Sequence, residues 1–504
     1  MLSIIKKNRS NFILLGIIMI GFFLRLYHLD FPLLDWHSFR QSDTASVTRE
    51  FIKHNYPLWL PHYQDLGQIQ SGLPNLEGYR FVEFPLINYG LAIFLHLCPN
   101  FNLVTISRLT SIFFSLGSIV LIYIFLNKIQ KNRTLSLLAA GIFAILPFGV
   151  YYGRSILPEP FQVFFSLLTI VTFVYYLEKN NFARWLLVCL SFAIALLIKP
   201  TSIFIAPVLL FLAWKEYSWS CFKHWELYLL AICSVAPLIW WRQFMLAYPS
   251  GIPASQWLLN GDGIRLRPAW WRWLFYERLT KMWLGYFGLI FFLVGLLPEK
   301  LFKFKQKINL TTFDLITWSY LLGMFSYLTI FATGNVRHDY YQVILLPIVV
   351  ITYARGIIWF YRFLHQYFSA KIIISAILIL NYLAFYFAVQ ENIGKFNVNN
   401  WAAAKLGQVA DQLLPSNALV IADAFGGDTN FLFQTNRTGW PDGDNLDEKI
   451  AQGAQFYLTT NFDDRFQKLS QTYSIIYQDE NGAILDLQSP LSNTEESNQN
   501  LENP

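Results

Sequence analysis

Apolar runs long enough to cross a bilayer recur along this chain, and short clusters of Lys and Arg separate them. A helix needs roughly 20 predominantly apolar residues to span hydrocarbon. Runs of about that length or slightly shorter occupy 11–29, 103–127, 134–152, 160–177, 226–241, 283–298, 312–331, 342–360 and 371–389. The stretch 185–214 is too short for two full spans and is interrupted at Lys199, Pro200 and Thr201. Proline removes a backbone donor and disfavours helix at the residue before it, so this stretch predicts two short helices with Lys199 at the turn. The total is about eleven membrane helices.

The basic clusters set the direction of threading. They lie at Lys6, Lys7 and Arg9, at 128–133, 178–184, 215–223 and 299–307, and at Arg355, Arg362 and Lys371. Placed in the cytoplasm by the positive-inside rule, they put the N-terminus inside, a long first loop (30–85) outside, and the C-terminus outside. The first apolar run is longer than a secretory signal core and lacks a small-residue cleavage site after it, so it is expected to remain as helix one.

From about residue 390 the pattern changes. The remainder holds six Lys/Arg against sixteen Asp/Glu, and no run in it is long enough to span a membrane. Residues 418–426, 454–461 and 473–479 read as short strands, and 402–414 as a helix by its 3,4 spacing. The expected organisation is a membrane domain over 1–389, a small extracytoplasmic α/β domain over 390–487, and a disordered polar tail over 488–504.

Composition agrees with this division: 55% of the 504 residues are hydrophobic and 14% are charged, against about a quarter in soluble domains. The formal charge of +6 falls in the inter-helix clusters and reflects topology, so no nucleic-acid partner is implied. The four cysteines, Cys98, Cys189, Cys221 and Cys233, show no metal-type spacing and read as buried, unpaired thiols.

Charged groups that topology does not explain gather at the outer face. Immediately after helix one, "LLDWHSFRQSD" brings Asp35, His37, Arg40 and Asp43, followed by Glu83. Asp43 alone can be read as a helix N-cap; the others cannot. "GRSILPEP" brings Arg154 and Glu159 to a hairpin tip, where Glu159 also suits a helix N-terminus. Lys199 has the alternative of snorkelling to the interface. "GDGIRLRPAWWRWLFYERLTK" carries Arg265, Arg267 and Arg272 among tryptophans, suited to a lipid phosphate or to plain interfacial anchoring. "RHDYY" adds Arg337 and His338. Sugar transfer from a phosphate donor needs a carboxylate to take a hydroxyl proton and cations to hold the leaving phosphate, and both types are present. His338 and Asp339 read as an interfacial pair; no cofactor is required by these residues, and a divalent metal held by His37 with Asp35 or Asp43 is left open.

These motifs, in this order, resemble the GT-C membrane glycosyltransferases of the family 39-like group, which includes the protein O-mannosyltransferases and the lipid A aminoarabinose transferase. The resemblance covers about residues 10–360 and rests on "LDWHSFRQSDTASVTREF", the tip from Arg154 to Glu159, "LLIKPTS" and "RHDYYQVILLP"; "TNRTGWPDG" looks like a turn of the small outer domain found in bacterial members. It implies a GT-C fold and an inner-membrane enzyme with a polyprenyl-phosphate-linked sugar as donor. It also implies transfer on the periplasmic side with inversion, to a glycan, glycolipid or protein acceptor. It makes a first-loop carboxylate the base, here Asp35 or Asp43, since the usual adjacent acidic pair is absent. Glu159, counted with the catalytic carboxylates, stands where relatives commonly have Asp, and Lys199 matches a lysine that contacts the donor phosphate. The rival readings are a lipid-diphosphate-dependent, O-antigen ligase-like enzyme and a lipid-linked sugar transporter; a transporter normally shows internal repeats and ionisable residues at mid-membrane.

Overall fold

In the computed structural model, residues 2–298 and 310–491 are described, with side chains from Arg9 onward. The basic cluster expected at 299–307, the side chains of Lys6 and Lys7, and residues 492–504 of the expected tail lie outside that range. The chain divides into two compact units. One holds residues 1–29, 105–247 and 254–396; the other holds 30–104, 248–253 and the chain from Asn397 onward.

The first unit is helical. Its helices include Leu2–Arg25, Arg133–Ile145, Glu159–Glu178, Phe182–Ile198, Trp225–Met245, Thr312–Ile330, Leu346–Leu364 and Ala370–Asn392, and the helix that starts at Leu103 runs on through it to Gln130. Among the described residues, five helical runs are long and apolar enough to cross a membrane, or six if a pair broken by a 120° bend counts as one span. Prolines and polar caps shape the ends. Pro147 divides the expected 134–152 helix into Arg133–Ile145 and a short Pro147–Tyr152 turn. Asn132 and Asn181 accept from the backbone N–H of Leu135 and Arg184, capping two helices. Thr311 and Asp314 form a reciprocal capping box.

One expected topology charge is placed differently. Arg355 is not solvent-facing: it is 1% exposed, ion-paired to buried Asp314, with its guanidinium 3.7 Å from the centroid of Trp359. A basic residue in a terminal apolar run is indistinguishable by sequence from a cytoplasmic anchor when its acidic partner lies on another helix. The cysteines are free as expected, but only Cys189 is buried, and Cys233 is exposed on the outside of its helix.

The second unit is built on a five-stranded sheet. Its strands are β1 (Leu419–Asp423), β2 (Thr438–Trp440), β3 (Phe456–Thr459), β4 (Tyr473–Asp479) and β5 (Gly482–Pro490), in the order β2-β1-β3-β5-β4. β1 pairs in parallel with β2 and β3, whereas β5 lies antiparallel between β3 and β4. β2 falls within the "TNRTGWPDG" segment, and both β2 and β5 were missed by strand reading. The helix Trp401–Leu413 lies against β5, capped by Asn400, which accepts from Ala403 N–H at 3.0 Å. Gly439 has φ +158°, and a Cβ there would fall 1.8 Å from the Val420 carbonyl, so glycine is required for the strand to approach. The first-loop segment extends this sheet: Leu66 N–H donates to Gly439 O at 2.8 Å and Gly439 N–H to Gln64 O at 2.9 Å. That pairing draws residues 30–104 into the same unit as the C-terminal sheet.

Candidate functional site

In the helical unit, two proline-defined helix ends bring Glu159 and Lys199 together. Glu159 opens its helix, flanked by Pro158 and followed by Pro160, where a carboxylate complements the N-terminal dipole. Lys199 ends the Phe182–Ile198 helix in an extended conformation (φ −149°, ψ 122°) because Pro200 follows it. Its Nζ donates to Glu159 Oε1. Glu159 is 0% exposed and the Lys199 side chain 12%. Gln162 Nε2 donates to Thr201 Oγ1 at 2.8 Å, tying the same two segments.

Two tyrosine rings stand over the lysine: its Nζ lies 4.2 Å from the centroid of Tyr341 and 5.4 Å from that of Tyr340. Both belong to the tight helical turn Asp339–Leu345. Buried Asp339 anchors that turn, accepting from Tyr152 OH at 2.5 Å and from Lys395 Nζ at 2.8 Å. Tyr327 OH donates to Tyr341 O at 3.1 Å. His338 packs its ring 5.4 Å from Tyr340 and 5.5 Å from Tyr341.

The other expected cations of this unit each have their own partners or lie exposed. Arg154 is fully buried and donates to the carbonyls of Tyr27 (2.6 Å) and His28 (2.7 Å), just past the end of helix one. Arg265 is exposed and donates to the carbonyls of Leu259 and Ile330. Arg267 is exposed at the start of the short helix Pro268–Trp271. Arg272 reaches Glu277 at 3.4 Å with most of its side chain in solvent. Arg337 lies 3.7 Å from Asp262.

In the second unit, the first-loop residues are ordered around the helix Ser38–His54. The helix begins five residues before Asp43, with His37 at the cap position (φ 55°), so Asp43 is not an N-cap. Asp43 is 1% exposed and accepts from Arg80 Nη2 at 2.7 Å, Thr429 Oγ1 at 2.7 Å and Gln70 Nε2 at 3.2 Å. Asp35, equally buried, accepts from Gln41 Nε2 at 2.8 Å. Arg40 pairs with Glu83. His37 packs between Trp36 and Phe39. Close by in sequence, burial pushes the Asp65 carboxyl up to about 7, with the Asp43 charge adding to the effect and the Gly67 N–H, Tyr63 OH and Arg80 opposing it. No group of three or more His, Cys, Asp or Glu able to hold a metal occurs among the described residues.

Sequence reasoning missed Arg80, Lys395, Tyr340 and Tyr341, and it read Asp339 as an interfacial partner of His338 rather than as the acceptor for Tyr152 and Lys395. Asp339 and the two tyrosines lie inside the quoted "RHDYY", so the segment was visible but not its inward-facing members. Arg80 and Lys395 gave no signal, because each is a lone cation whose partner is distant in sequence.

Residues 83–241 match the family described as dolichyl-phosphate-mannose-protein mannosyltransferase. The structure is similar over 94% of this chain and 97% of the other to ArnT from Cupriavidus metallidurans bound to undecaprenyl phosphate, with a TM-score of 0.64 and 11% sequence identity. The chain has the GT-C fold. It is also similar to the Archaeoglobus fulgidus oligosaccharyltransferase in its apo form (TM-score 0.56, 12% identity, 90% of this chain and 70% of that one). A complex of that protein, AglB, with an inhibitory peptide and a dolichol-phosphate gives a TM-score of 0.54 at 11% identity, over 90% of this chain and 70% of that chain. No curated protein matches the sequence. The GT-C fold expected from the motifs is therefore the fold observed. The small C-terminal sheet is likewise present.

Proposed function

We propose that this protein is an inverting glycosyltransferase of a bacterial inner membrane that moves a sugar from a polyprenyl-phosphate donor to a hydroxyl acceptor at the periplasmic face. The observation that carries the reading is the fixed Lys199 at a broken membrane helix, ringed by Tyr340 and Tyr341, in a chain with the fold of an undecaprenyl-phosphate-bound protein. About eleven spans, a cytoplasmic N-terminus and an extracytoplasmic C-terminal domain belong to the same proposal, supported by the basic clusters and by the position of the apolar helices.

A first-loop carboxylate, Asp35 or Asp43, takes the acceptor hydroxyl proton. The acceptor oxygen bonds to the anomeric carbon as the bond from that carbon to the phosphate oxygen breaks, and polyprenyl phosphate departs with the electron pair. Lys199 stabilises that charge, and Arg154 with one or more arginines of the 265–278 loop is assigned to the same donor phosphate. Single displacement inverts the anomeric centre and leaves no sugar on the enzyme. The small C-terminal domain is assigned to acceptor reception.

The deciding experiment follows radiolabelled sugar from polyprenyl-monophosphate donors in membranes containing wild type, Asp35→Asn or Asp43→Asn at matched levels. Consumption of one donor, lost in one Asp variant, establishes the reaction and its base. Consumption of diphosphate-linked donors alone replaces this reading with that of an O-antigen ligase-like enzyme, and movement of intact donor across the membrane replaces it with a transporter.

A further inference from the structure

Only one of the two Glu159 carboxylate oxygens is satisfied. Oε1 receives Lys199 Nζ, whereas Oε2 is shielded from solvent and accepts no hydrogen bond. A desolvated carboxylate oxygen without a donor is unfavourable, and it is met at sites that a ligand completes. The polar neighbours are committed elsewhere, Gln162 Nε2 to Thr201 Oγ1 and Tyr327 OH to the Tyr341 carbonyl. What Oε2 lacks is an O–H or N–H.

We propose that Glu159 determines donor specificity by accepting, through Oε2, a hydrogen bond from the hydroxyl next to the anomeric carbon of the transferred sugar. This assignment rests on the transferase reading. The acceptor hydroxyl is assigned to the first-loop base; within the polyprenyl-phosphate sugar the isoprenoid chain has no donor group and the ionised phosphodiester has none, so there the sugar supplies the missing hydrogen. The position on the ring follows from the ion pair. Lys199 bonded to Glu159 on one side and to the donor phosphate on the other keeps phosphate and carboxylate within the width of one ammonium group, and C2–OH is the ring hydroxyl nearest the phosphate. Glu159 is thus assigned to recognition, distinct from the first-loop base.

The test compares the donor that wild type consumes with its 2-deoxy, 3-deoxy, 4-deoxy and 6-deoxy forms, each presented as the polyprenyl monophosphate. Wild type is expected to lose roughly 10- to 1000-fold in kcat/KM on the 2-deoxy donor and much less on the others, since a buried acceptor is then left unpaired. In Glu159→Gln, and in Glu159→Asp, which keeps the negative charge beside Lys199 but shortens its reach, that preference is expected to shrink at least tenfold while the other ratios stay fixed. Equal use of the 2-deoxy donor by wild type overturns the assignment without any variant having to fold. A 2-hydroxyl preference that persists undiminished in both variants also overturns it, by placing 2-hydroxyl recognition on another group. If wild type consumes no polyprenyl-phosphate sugar at all, the transferase reading falls and this assignment with it.

Discussion

Arg80 donates to Asp43 at 2.7 Å, with side-chain exposures of 7% and 1%. Two opposite charges taken out of water compensate each other only while both are present. Arg80→Ala leaves a buried carboxylate without its cation and is expected to lower stability by about 3–5 kcal/mol. Thermal unfolding in detergent measures this. Arg80→Met paired with Asp43→Leu should recover much of that stability while remaining inactive if Asp43 is the base.

Asp65 predicts a pH dependence of the second unit. Its carboxyl titrates near 7 in the folded protein, against about 3.9 unfolded. Between those values the folded state keeps a proton that the unfolded state has lost, so stability falls as pH rises from about 4 to 7 and the penalty is complete above 7. At roughly 1.4 kcal/mol per pH unit the change amounts to a few kcal/mol. Asp65→Asn cannot ionise. The variant should therefore gain in melting temperature relative to wild type at pH 8, with the gain shrinking steadily toward pH 4.5.

Asp314 and Arg355 form a buried pair within the helical unit. Arg355→Ala is expected to lower stability by about 3–5 kcal/mol through the stranded Asp314, with further loss from the contact with Trp359. Arg355→Lys should recover only part, because one ammonium cannot reproduce the guanidinium bonds to both Asp314 and the Thr317 hydroxyl. Expression level and thermal unfolding of the purified variants check both.

Asp339 anchors the turn that carries Tyr340 and Tyr341 through its bonds to Tyr152 and Lys395. Asp339→Asn keeps an acceptor for Tyr152 but removes the charge that compensates Lys395. The expected outcome is about a tenfold to hundredfold loss of donor turnover, as positioning errors of an ångström can cost that much. Asp339→Asn combined with Lys395→Met should regain activity if charge balance is what the pair provides. Steady-state kinetics on the donor reads the result, and an unaltered rate in the single variant refutes the anchoring role.

The helical architecture was legible because hydropathy and proline placement act locally. The break at Lys199 and Pro200 appears where those two residues put it, and the runs at 312–331 and 371–389 coincide closely with helices Thr312–Ile330 and Ala370–Asn392. Partnerships were not legible. Arg355 resembled a cytoplasmic anchor until Asp314 was brought to it from another helix, and Asp43 resembled a helix cap until Arg80 and Thr429 closed around it. β2 is three residues long and β5 is embedded in polar sequence, so neither carried enough alternation to be recognised. The candidate site follows the same rule: Glu159 and Lys199 were found as single charges beside prolines, whereas their ion pair depends on the packing of two helices.

The helix stop at Pro200 has a consequence for how this site tolerates change. Successive residues on a continuing α-helix are displaced by about 100° around its axis. If Pro200 were replaced by a good helix former, the Phe182–Ile198 helix would be free to absorb Lys199, turning its ammonium away from Glu159 without altering a single charged residue. The lysine's aim is thus set by a neighbour that has no functional group of its own, and a chain that kept every charge here but lost that proline would lose the pair.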